Sequence, residues 1–149
     1  MPRPPRVQSP GYYHVGTRGN ARMDIYCDVV DRYLFLDLLD RIAGDSKWAL
    51  HAWCLMTNHY HLVLESRQQT LSAGMHRLNG RYARSFNARY GRTGHLFERR
   101  FWAKPIEDDQ QLFNAAEYVF DNPVRAGLCS SRQAWPWVGG TFWRLAAAA

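Results

Sequence analysis

Lysine, cysteine and long apolar runs are what this 149-residue chain has least of. No stretch reaches the roughly 20 consecutive apolar residues that span a bilayer, so no membrane partner is expected. The charged opening Met1-Pro2-Arg3-Pro4-Pro5-Arg6 is followed by no apolar segment of the signal-peptide kind, which makes the cytoplasm the expected location. Cys27, Cys54 and Cys129 stand far apart without any Cys-x-x-Cys pair. That argues against a disulfide framework or a thiolate zinc site and predicts buried small hydrophobes. A Gly-x-x-x-x-Gly-Lys loop is missing too, so ATP has no phosphate cradle here.

The residues present describe a soluble globular domain. At 46% hydrophobic and 14% aromatic, the chain is too apolar for disorder, and its length suits one domain, 1–149, with its own core. Of nineteen basic residues seventeen are arginine; against thirteen acids they leave a formal charge of +6. Arginine makes bidentate contacts to phosphate, so a polyanionic partner is the first reading, and an arginine-rich surface set by genome composition the second.

Periodicity divides the chain into seven elements. Residues 12–18 are β-type and end at the turn Gly19-Asn20. Residues 28–42 repeat apolar side chains at helical spacing, with Asp28 as N-cap and Gly44 just past the end. Two β-rich runs, 48–56 and 59–65, flank the hairpin-length link Thr57-Asn58. From Thr70 an amphipathic helix carries Leu71, Met75, Leu78, Tyr82 and Phe86, until Gly91-Arg92-Thr93-Gly94 breaks it. A short strand, 101–106, precedes a helix opened by Asp108 and Asp109 and stopped at Asn122-Pro123. A tail with Trp135, Trp137, Gly139 and Gly140 follows. The order β-α-β-β-α-β-α predicts an α+β, ferredoxin-like split βαβ fold: an antiparallel sheet, helices mainly on one face, strands 12–18 and 59–65 central.

Chemistry concentrates at His59-Tyr60-His61. Two histidines two positions apart on a strand share a face, which is metal-ligand geometry with coordination positions still open. On the last helix Tyr118 and Asn122, four residues apart, also share a face. Asn122 offers a neutral oxygen that would complete a His59, His61, Asn122 site suited to Mg²⁺ or Mn²⁺, with Tyr118 beside it. A phenol is a poor nucleophile at neutral pH but a good exchange group, because a phosphotyrosine conserves the energy of the phosphodiester it replaces. The plainer reading keeps the histidines as part of a buried strand, Tyr118 as a core aromatic and Asn122 as a helix cap. His14, His51, His76 and His95 are read as hydrogen-bonded or surface residues.

These residues resemble a known family. His59-Tyr60-His61 looks like the paired-histidine motif of single-tyrosine (Y1) HUH transposases of the IS200-like superfamily. Tyr118-Val119-Phe120-Asp121-Asn122-Pro123-Val124-Arg125-Ala126-Gly127-Leu128 is similar to the tyrosine helix of the branch associated with repetitive extragenic palindromes (REP). Tyr13-His14-Val15 with Arg18-Gly19-Asn20, and Gly94 to Phe101, match the same branch in the same order, so the likeness spans roughly residues 11–129. Tyr60 departs from the usual aliphatic between the histidines, and its hydroxyl needs a partner if buried.

The resemblance implies a transposase that binds hairpin-forming single-stranded DNA, cuts it through a 5′-phosphotyrosine on Tyr118 and rejoins strands. A Mg²⁺ or Mn²⁺ ion on His59, His61 and Asn122 would serve it, in a monomer or a homodimer. Phosphate contacts are expected from Arg18, Asn20, Arg77, Arg81, Arg84, Arg99, Arg100 and Lys104, with Arg99 and Arg100 foremost, and base stacking from Phe97, Phe101 or Trp102. A hairpin binder without turnover, a small metal hydrolase and an RNA-binding split βαβ domain are the competing readings. The last expects a Lys/Arg-Gly-Phe-Gly-Phe-Val segment, which the chain lacks.

Overall fold

A computed structural model describes residues 9–148; the arm read above for a leader lies outside the described residues. The elements are β1 (Gly11–Arg18), α1 (Val29–Ser46), β2 (Trp48–Leu55), β3 (His59–Ser66), α2 (Leu71–Tyr90), β4 (Trp102–Ile106) and α3 (Asp109–Arg125). The tail adds β5 (Val138–Gly139) and α4 (Thr141–Ala148), which sequence periodicity did not announce. One antiparallel sheet runs β4-β1-β3-β2-β5, placing β1 and β3 in the centre as the split βαβ plan requires.

Strand alternation sorts the side chains between two faces. Tyr13, Val15, Tyr60, Leu62 and Leu64 enter the larger core with Phe35 and Leu39 of α1 and Leu78 and Tyr82 of α2. Val63, from the other face, packs with Ala116, Val119 and Phe120 of α3. The helices α1 and α2 therefore cover one face, as the split βαβ plan expects, while α3 and α4 cross to the other. Burying a side chain such as Phe35 contributes about 1.5–3 kcal/mol, so both layers bind firmly to the sheet. The consequence for function is that His59 and His61, in phase with Val63, face α3.

Two helix ends differ from the sequence punctuation. Gly44 lies inside α1, which continues to Ser46 and closes on Lys47 in the left-handed conformation, its N–H bonded to the Ala43 carbonyl. Nor does Pro123 stop α3. Proline removes one N–H from the helical ladder, but this end is secured further on: Gly127, at φ +74°, donates to Val124 O at 3.0 Å, and Leu128 donates to Pro123 O at 2.9 Å. The extra turn carries Arg125 and Ala126 over the same ground as Tyr118. Among the cysteines only Cys54 is buried; Cys27 is exposed ahead of α1, where its backbone N–H donates to Asp31 Oδ2 at 2.8 Å.

Candidate active site

His59 and His61 sit two residues apart on β3 with ring centroids 5.1 Å apart. Across from them α3 presents Asn122, whose Nδ2 lies 3.0 Å from His61 Nε2, and Tyr118, whose ring centroid is 5.8 Å from that of His61. Tyr118 is 48% exposed, so it stands at a cleft mouth and is not a core aromatic. Asn122 is buried inside α3 with its amide committed to His61, so it is not an end cap. One helical turn and one strand repeat thus converge.

His14 completes the cluster, and sequence reasoning missed its place there. Its Nε2 is 3.1 Å from His61 Nδ1. Since His61 Nε2 accepts from Asn122, its proton resides on Nδ1 and is donated to His14. The register pairs Gly16 with His61 and His14 with Val63, so His14 reaches His61 on the diagonal. The available signal was the period-two phase of His14 on β1. His51 bonds Thr141 and stacks on Phe142, well away from this cluster.

Burial governs the protonation of these rings. It lowers His14 to about 4 with help from Lys104, and His59 to about 4 with help from Arg18. His61 is driven well below its ordinary value by burial first, then by His14, His59, Arg125 and Arg18. All three are neutral imidazoles at pH 7, the form that ligates metals. No group of three or more His, Cys, Asp or Glu gathers as a metal site among the described residues. A third protein donor beside His59 and His61 would have to be the Asn122 amide oxygen, and the amide would have to turn so that its NH₂ releases His61 Nε2; the mixed nitrogen and oxygen set this gives, with positions left open, fits Mg²⁺ or Mn²⁺.

The cleft these residues line has a volume of about 420 Å³. Arg18 and Arg125 supply positive charge at its walls, and Trp102 closes one side. The Trp102 indole occupies space that only a glycine leaves free: a Cβ on Gly16 would fall 2.5 Å from Trp102 Cζ2. Arg125 covers Tyr118, its Cζ 4.0 Å from the ring centroid and its Nη2 donating to the Tyr118 carbonyl. Beneath the pair, buried Tyr60 resolves the demand of its hydroxyl in a closed ring of bonds. Asn79 Nδ2 donates to Thr17 Oγ1 at 3.1 Å, Thr17 Oγ1 donates to the Tyr60 hydroxyl at 3.0 Å, and that hydroxyl donates to Asn79 Oδ1. The ring ties β1, β3 and α2 together directly under the histidines.

A sequence model described as "Transposase IS200 like" matches residues 8–122. The chain belongs to the IS200-like transposase family. It is 29% identical over 98 residues to a Haemophilus influenzae protein provisionally described as a REP-associated tyrosine transposase; the match covers 58% of this chain and 55% of that one. The chain therefore spans about half the length of this relative. Its fold matches that of a REP-associated tyrosine transposase bound to a REP hairpin, with a TM-score of 0.78 at 17% identity over 99% of this chain and 86% of the other. A Deinococcus radiodurans protein provisionally described as a transposase matches at TM-score 0.54 and 19% identity, over 80% of this chain and 95% of that one.

Among the phosphate contacts expected from the sequence, Arg18 alone lines the cleft. Asn20 is exposed on the adjoining turn, and Lys104 is exposed on β4 close enough to His14 to affect its charge. Arg81, Arg84, Arg99 and Arg100 are exposed elsewhere, while Arg77 pairs with Asp45 at 3.3 Å. Of the expected stacking rings, Phe101 is buried in the core, and Phe97 is half-buried near Tyr60 and Tyr82. Trp102 is the one of the three left open to the cleft. No helix among the described residues is long and apolar enough to cross a membrane.

Proposed function

We propose that this chain is a transposase that cuts and rejoins single-stranded DNA carrying a hairpin, with Tyr118 as nucleophile. The observation that carries the reading is the convergence of an exposed tyrosine, two neutral histidines and an asparagine in one arginine-flanked cleft. His59, His61 and Asn122 would hold a Mg²⁺ or Mn²⁺ ion, which when bound neutralises charge developing on the scissile phosphate. The Tyr118 oxygen forms a bond to phosphorus as the bond from phosphorus to the 3′ oxygen breaks. The phenolic proton passes to solvent, and the departing 3′ oxygen takes up a proton as a free hydroxyl. The 5′-phosphotyrosine keeps the bond energy, so the reverse attack by a 3′-hydroxyl reseals a strand without ATP.

Arg18 and Arg125 attract the DNA backbone, and Trp102 offers an exposed indole face for an unpaired base. Because Tyr118 and both histidines line the cleft of one chain, the reading places nucleophile and ligands in cis, so that a monomer suffices. The test is incubation with single-stranded hairpin DNA and Mn²⁺. A DNA adduct resistant to denaturation is expected from the native chain and none from Tyr118→Phe, which should still bind the hairpin. An adduct surviving in that variant would assign the nucleophile elsewhere. Hairpin binding with no adduct from the native chain would favour a binder without turnover.

A further inference from the structure

His59 reaches the cleft through a relay that begins in a strained turn. Asn20–Arg22 form a single 3₁₀ turn after β1, and both Ala21 (φ +52°) and Arg22 (φ +57°) are left-handed. Residues other than glycine seldom adopt that conformation, and where they do the surrounding structure has to impose it. Here it is imposed by backbone bonds on three sides. Gly19 N–H donates to Asn58 O at 2.8 Å, Asn20 N–H to Leu96 O at 2.7 Å, and Ile25 N–H to Thr57 O at 3.0 Å. Gly19 itself has no room for a side chain, since a Cβ would lie 2.3 Å from Met23 O.

The result is a carbonyl held in a defined place. Arg22 O accepts from Asn58 Nδ2 at 3.2 Å. A carbonyl can only accept, so the NH₂ end of the Asn58 amide must face it, and Oδ1 must face the other way. Oδ1 lies 2.7 Å from His59 Nδ1. An amide oxygen also only accepts, so Nδ1 of His59 carries the proton and Nε2 keeps its lone pair.

We infer that Asn58, aligned by the strained turn at Ala21 and Arg22, is a positioning residue that fixes the tautomer and ring orientation of His59 for metal binding. This rests on the metal reading of the site given above, and extends it from the ligands to what orients them. Partners of this kind typically alter metal affinity by about 10–100-fold when removed. The same turn exposes Asn20 and Arg22 and adjoins Arg18, which lines the cleft.

Two measurements test the relay. The first needs no variant: ¹⁵N NMR of the metal-free native protein should report His59 with the proton on Nδ1, and a proton on Nε2 would overturn the inference. The second is Mn²⁺ titration followed by electron paramagnetic resonance. Asn58→Ala should weaken binding about tenfold or more and mix the His59 tautomers. Native Mn²⁺ affinity in that variant, with its fold intact by circular dichroism, would also overturn the relay. A native protein that binds no Mn²⁺ but shows the Nδ1 proton would remove the metal reading and leave the Asn58 to His59 alignment supported.

Discussion

Asn122 and His61, 61 positions apart in the chain, meet with Nδ2 at 3.0 Å from Nε2. That contact joins a helix to the central strand of the sheet and brings the amide within reach of both the histidine pair and Tyr118, four residues back on the same helical face. Removing the amide with Asn122→Ala should lower Mn²⁺ affinity about tenfold and cost about 1 kcal/mol of stability, the net value of one buried hydrogen bond. Asn122→Asp keeps a carbonyl-type oxygen and adds charge, so it should bind Mn²⁺ at least as tightly while losing stability without metal. Calorimetric titration and thermal melting of the two variants read both quantities. Equal Mn²⁺ affinity in the alanine variant would exclude Asn122 from the metal site.

Tyr60 gives the second prediction. Its hydroxyl both accepts from Thr17 and donates to Asn79 in a buried ring of bonds. Tyr60→Phe keeps the packing but leaves two polar groups short of a partner, with an expected loss of about 1–3 kcal/mol. Thr17→Val, which takes from the same ring the donor to Tyr60 and the acceptor of Asn79, should cost a similar amount, and the double variant less than the sum of the two. Urea unfolding of the single and double variants measures the coupling, and strictly additive losses would show that the ring does not act as a unit.

Gly16 is where the cleft wall depends on the absence of a side chain. A methyl there would come 2.5 Å from Trp102 Cζ2 and 2.9 Å from the Tyr60 carbonyl. Gly16→Ala should therefore destabilise by about 1–3 kcal/mol and displace the indole, shifting tryptophan emission and reducing adduct formation. An unchanged emission spectrum together with an unchanged melting temperature would contradict the packing described.

Acid should weaken the fold through the buried histidines. His14 and His59 are held at about 4, by burial first and by Lys104 and Arg18 second, against 6.5 when exposed. Below 6.5 the unfolded chain binds protons that the folded chain refuses, so stability is full above about pH 6.5 and falls as pH drops toward 4. Each histidine contributes a slope of up to about 1.4 kcal/mol per pH unit. Denaturation midpoints measured without metal at pH 7.5, 6 and 5 should decline in that order, and midpoints independent of pH would refute the burial argument.

Much of this was legible in the chain itself. Side-chain alternation alone puts His59 and His61 on one face, and helical spacing alone puts Tyr118 and Asn122 on another, because both follow from backbone geometry within a few residues. Element order likewise implies β1 and β3 at the centre, as the sheet shows. Helix ends were less legible: Pro123 forbids one N–H, but whether α3 stops there depends on Gly127 and Leu128 closing the end. Likewise Phe97 and Phe101 look alike as stacking rings in sequence, and only the tertiary structure shows Phe101 buried and Phe97 half-buried against the core.

By itself, then, the sequence determined the period-two histidine pair, the tyrosine helix, the basic charge and the order of elements, all of which are local or compositional properties. Tertiary structure decided which face of the sheet α3 would cover, that His14 would bond His61, and that a turn at Ala21 and Arg22 would reach His59 through Asn58. The physical reason is that these contacts join groups far apart in the chain, and their distances are set by how the layers pack.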